Sequence, residues 1–107
     1  MDNSQFESLA DATLGRVQSA VESAGGNLDA ELVGGVLTIE VESGGKFLLN
    51  KHGPNRQIWL SSPVSGAWHF AWSEENKAWI STRGAERLED LLGRELSDAA
   101  GEAVQLD

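Results

Sequence analysis

Cysteine is absent from the 107 residues. That excludes disulfides, thiolate metal sites, cysteine-held iron–sulfur clusters and a cysteine nucleophile. Tyrosine is absent too. No apolar run approaches the ~20 residues that a membrane helix needs. Bases are scarce, with 8 Lys and Arg against 17 Asp and Glu, for a net charge of −9. A chain so acidic is a poor partner for nucleic acid or for an anionic membrane surface. The start, MDNSQFESLAD, is polar and acidic, so it reads neither as a secretory signal nor as an Arg-rich transit peptide. The two histidines form no HExxH pair, and no GxSxG elbow occurs. Gly34-Gly35 and Gly44-Gly45 read as hairpin turns, since neither opens a helix with a following lysine. Ser61-Ser62 has no neighbouring base. No catalytic centre is expected.

What remains is ordinary for one globular domain over residues 1–107, with 40% hydrophobic and 23% charged residues. Its charge is uneven. Residues 1–44 hold eight acids against Arg16 alone, whereas residues 45–107 hold nine acids and seven bases. The acidic part suits cations or a basic partner; it equally suits a solvated surface that keeps the chain dispersed.

Periodicity predicts a helix over residues 4–24. Phe6, Leu9, Ala10, Thr13, Val17, Ala20, Val21 and Ala24 recur at steps of three and four. Ser4 is the expected cap, with Glu7 closing a capping box, and Gly25-Gly26 the stop. Glu7, Asp11, Gln18 and Glu22 form a polar stripe on the far side. Period-two alternation then predicts strands over 28–32, 37–42, 46–50, 57–62, 68–72 and 78–81, joined by Gly-rich turns. A second helix is expected over 85–96, with Leu88, Leu91, Leu92 and Leu96 on one face. Val104 and Leu106 suit a tail lying extended against the helices. The fold class is α+β: a two-layer sandwich with both terminal helices on one face of a roughly six-stranded antiparallel sheet. The other face meets water.

That open face holds the candidate binding surface. If Ile58 and Leu60 point inward, Gln57, Trp59 and Ser61 point outward, beside Asn50, Asn55 and Arg56. An outward Trp among amides suits a protein-binding hot spot, although an inward Trp59 would simply fill core. Trp68, Phe70 and Trp72 share one parity and are expected in the core. His69 would then face out near Trp59.

Several runs carry a resemblance. LNKHGPNRQIWLSSPVSG at 49–66 is followed by WHFAW and Trp79, with ESLADATL at 7–14, LDAELVGGVLTIEV at 28–41 and RLEDLLGREL at 87–96. Together they are similar to the frataxin and CyaY family over almost the whole chain. The resemblance implies an accessory protein of iron–sulfur cluster assembly. Such a protein binds the complex of cysteine desulfurase and scaffold protein and modulates persulfide transfer. It implies a contact surface of Asn50, Lys51, His52, Asn55, Gln57, Trp59, Pro63, Ser65, Gly66 and His69. It also implies weak iron binding at Glu7, Asp11, Glu22, Asp29 and Glu31, with no tightly held cofactor. A monomer is implied, with iron-dependent oligomers left open. So is a place in the mitochondrial matrix or, for a bacterial chain, the cytoplasm. The alternative is an iron chaperone or ferroxidase working through the acidic residues.

The chain departs from the family pattern in places. The second half of the first helix, RVQSAVESAGGN, keeps Glu22 as its only acid. His52 stands where the family usually has Gln, His69 where eukaryotic members often have Arg, and Ala71 where Asp is common. Docking is therefore expected to outweigh iron handling. The signature around Trp59 is nearer the eukaryotic one, which favours promoting sulfur transfer over inhibiting it.

Overall fold

The computed structural model describes residues 1–106. Helix α1 (Asn3–Ala24) begins earlier than its periodicity suggests. Asp2, not Ser4, is the cap: its carboxylate accepts from the Gln5 N–H, and the Gln5 side chain accepts from the Asp2 N–H. The expected box with Glu7 does not form because Asp2 takes the cap and Ser4 lies within the helix; the Glu7 carboxylate pairs with Lys51 instead. Gly25, at φ 62, ends the helix as expected.

Six strands follow: β1 (Leu28–Val33), β2 (Val36–Val41), β3 (Lys46–His52), β4 (Gln57–Ser62), β5 (Gly66–Ser73) and β6 (Ala78–Ser81). They pair in chain order as one antiparallel meander. The tightest turn is Gly34-Gly35 between paired Val33 and Val36. Both glycines have positive φ, the conformation that matches the right-handed strand twist.

Helix α2 (Leu88–Ala100) starts later and runs further than Leu spacing predicts. Arg87 bridges Ile80 beside β6, which keeps the preceding residues out of the helix. Past Leu96 the helix continues until Gly101 caps it in the left-handed region. Val104 and Leu106 are buried in the core as the tail pattern predicts. The Ser97 hydroxyl accepts from the Val104 N–H and holds the tail in place.

The core lies between sheet and helices. Phe6, Ala10, Leu14, Val17 and Val21 of α1 and Leu88, Leu91, Leu92 and Leu96 of α2 meet Leu37, Ile39, Phe47, Leu49, Ile58, Leu60 and Phe70. Trp79 is also interior, and its N–H donates to the buried Thr13 hydroxyl. Trp68 and Trp72 correct the expectation for β5: only Phe70 of that trio is fully buried. The other two are half-buried at the core margin, where each indole N–H finds a polar acceptor, Ser65 and Glu74 respectively.

Candidate functional site

Among the described residues no helix or loop covers the outer sheet face, and strand alternation sorts its residues into two halves. On β1 and β2, Asp29, Glu31 and Glu40 point outward and are exposed. On β3 to β5, the outward residues include Asn50, His52, Gln57, Trp59, Ser61 and His69. Asn50 lies opposite Trp59 across one strand pair, and His69 opposite Trp59 across the next.

Trp59 faces outward but is half-buried rather than bare. The His52 ring stacks on one face of the indole at 3.7 Å and 9°. The His69 ring stacks on the other face at 4.1 Å and 9°. The indole N–H donates to Gln57 Oε1 at 2.8 Å. Nδ1 of His52 is buried without a hydrogen-bond partner. A shallow depression of about 220 Å³ runs beside this stack, between Leu48, Asn50, Ser61 and Ala67.

The β4–β5 turn borders the same face. The Ser62 hydroxyl accepts from the N–H groups of Val64 and Ser65 and donates to the buried Glu95 of α2 at 2.7 Å. Pro63 packs on the β2–β3 turn, where a Cβ on Gly45 would lie 3.1 Å from it. The result is a fixed turn with an exposed Val64 at its tip. Pro63, Ser65 and Gly66 are brought to the rim of the open face. Asn55 sits exposed in the β3–β4 turn. Arg56 turns away, its Nε–H donating to Asn3 of α1.

Lys51 is separated from the others. It shares the parity of Phe47 and Leu49 and so faces the helix layer. Its ammonium lies 2.5 Å from Glu7 and 2.8 Å from Asp11. Those carboxylates, Asp11 foremost and then Glu7, raise its pKa above the ordinary 10.5.

The five acids expected to hold iron do not converge. Glu7 and Asp11 are engaged by Lys51, Glu22 lies roughly 16 Å further along the α1 axis, and Asp29 and Glu31 are on the opposite side of the sheet. Among the described residues no three His, Asp or Glu side chains are grouped to hold a metal ion. Hard cations need several oxygens brought close together.

Two contributors escape the sequence reading. The inward aim of Lys51 is carried by the alternation Phe47, Leu49, Lys51. Glu95 falls on the apolar face of α2 beside Leu91, Leu92 and Leu96, which marks it as interior.

Comparison with known proteins places this geometry. Residues 1–102 match the model of the Frataxin-like domain. The chain is 39% identical to mitochondrial frataxin of Arabidopsis thaliana over 99% of its length, spanning 59% of that relative. It is 35% identical to the iron–sulfur cluster assembly protein CyaY of Neisseria meningitidis, covering 100% of this chain and 97% of the relative. Among solved structures, frataxin from Psychromonas ingrahamii superposes with a TM-score of 0.89 at 26% identity, covering 100% and 99% of the two chains. A trimeric frataxin of Saccharomyces cerevisiae, complexed with ferrous iron, gives 0.76 at 36% identity, covering 87% and 86%. With the match running nearly end to end in both sequence and fold, the chain belongs to the frataxin family.

Proposed function

We propose that this protein is an accessory factor of iron–sulfur cluster assembly that docks on the complex of cysteine desulfurase and scaffold protein and promotes persulfide transfer. The supporting observation is the uncovered face of β3 to β5. There Asn50, Gln57 and Trp59 stand together beside the fixed Pro63–Gly66 turn. His52, Asn55, Ser65 and His69 border them; Lys51 acts from behind, through Glu7 and Asp11. Relatives that carry the name of iron–sulfur cluster assembly protein support the pathway. The protein brings no nucleophile of its own, so its contribution is conformational. It favours the arrangement in which a persulfide-bearing loop meets the scaffold thiols. It acts where that machinery resides, in the mitochondrial matrix or the bacterial cytoplasm.

The deciding assay is sulfide and cluster production by the assembled complex. Wild-type protein should raise turnover, and Trp59→Ala should abolish the rise while the free protein stays folded. Full stimulation by Trp59→Ala would overturn the docking reading. Inhibition by wild type would reverse the sign and keep the surface.

A second reading is favoured by the yeast relative described with ferrous iron. Iron is then cargo, held weakly at the acidic residues Asp29 and Glu31 and at Glu22, with assembly into oligomers as iron loads. Scattered carboxylates make such binding weak. Anaerobic Fe²⁺ titration followed by NMR tests it: amide shifts localised at these residues support it, and uniform or absent shifts sink it.

A further inference from the structure

Among the described residues, the two histidines that flank Trp59 have no side-chain partner beyond the indole. Among those residues neither ring donates to or accepts from another side chain, and one buried nitrogen of His52 goes unpaired. They stand on different strands, β3 and β5, and approach the β4 tryptophan from opposite sides. Both stacks are within 9° of parallel. An indole enclosed in this way presents neither aromatic face. Its N–H is also committed, to Gln57. What it offers outward is a C–H edge, flanked by two imidazole edges.

Resting on the docking reading above, we propose that His52 and His69 are positioning residues: they clamp Trp59 edge-on, and the partner receives a three-ring blade rather than a flat indole. A free surface tryptophan samples several rotamers, and ordering one such side chain on contact weakens affinity about two- to tenfold. The clamp removes that cost before contact. The partner surface must then be a cleft whose apolar walls receive the blade edge-on. A flat aromatic plate would find no face to stack on.

The test begins with the free protein, so that the clamp is judged independently of docking. In His52→Ala or His69→Ala, loss of ring-current shielding should move the Trp59 ring protons downfield in NMR spectra. Unchanged Trp59 resonances in both variants would overturn the proposal. Binding to the desulfurase–scaffold complex should weaken about three- to tenfold for each variant. His52→Phe and His69→Phe, which restore a stacking ring without imidazole nitrogens, should restore both the Trp59 shifts and most of the affinity. Restored shifts without restored affinity would overturn positioning in favour of direct imidazole contact. If wild type itself fails to bind the complex while the alanine variants move the Trp59 resonances, the docking reading is what falls.

Discussion

Lys51 faces the helices while its neighbours Asn50 and His52 face the open side of the sheet, and that one-residue alternation changes its work. Its ammonium occupies the space between Glu7 and Asp11. Lys51→Met keeps the apolar stem and removes the charge. Two like charges then face each other one helical turn apart. The expected loss is about 1 kcal/mol, since both carboxylates are half-exposed. The folded state holds Lys51 protonated above its ordinary 10.5. A raised pKa stabilises fully below the unfolded value and loses that contribution as pH climbs through the folded one. The stability gap between wild type and Lys51→Met should therefore hold from neutral pH to about 10 and close in stronger alkali. Denaturant melts across that range check it; a gap that widens in alkali would refute the pairing. The same variant should gain Mn²⁺-induced broadening at the Glu7 and Asp11 amides that wild type lacks.

At the scale of elements, α2 does more than cover the sheet. Glu95, one turn after Leu91 and Leu92, reaches through to Ser62 and so fixes the turn beside Trp59. Glu95→Ala would leave the buried Ser62 hydroxyl without its acceptor, at about 1–3 kcal/mol. The Val64 and Ser65 amides, which donate to that hydroxyl, should exchange faster with solvent. Hydrogen exchange read residue by residue measures this, and unaltered protection at those two amides would show that the turn holds itself. Legibility follows the same logic. The meander and both helices were readable because each element has a single apolar face with the right period. The Trp59 direction was readable because Ile58 and Leu60 bracket it with core residues. The caps were not: Asp2 and Ser4 both suit an N-cap, and Asp2 wins through its reciprocal hydrogen bonds with Gln5. Nor was the histidine clamp, since strand parity puts His52, Trp59 and His69 on one face without saying that their rings lie flat against each other. Trp68 and Trp72 misled for a related reason. Parity reports the side of the sheet, and at the two ends of β5 the inward side runs out of core.

Over the whole molecule, the open face divides into an acidic half and an aromatic half, and the two halves should govern different stages of binding. Asp29 and Glu40 lie directly opposite each other on β1 and β2. A like-charged cross-strand pair costs about 0.2–1 kcal/mol, which Lys46 opposite Glu40 partly offsets. Such a pair opposes the fold, and what it adds in exchange is the negative field it projects from the open face. That field acts over roughly 8–10 Å in physiological salt and speeds encounter with a basic partner. On the proposed docking reading, the Trp59 stack acts only at contact and should set how long the complex lasts. Glu31→Gln with Glu40→Gln should therefore slow association several-fold with little change in dissociation, and should flatten the salt dependence of association. Trp59→Ala should do the reverse, speeding dissociation and leaving the salt dependence intact. Association and dissociation rates of the desulfurase–scaffold complex, measured from low to high salt, separate the two. If the charge variants changed only dissociation, the acidic half would be part of the contact itself, and the division of labour across the sheet would be wrong.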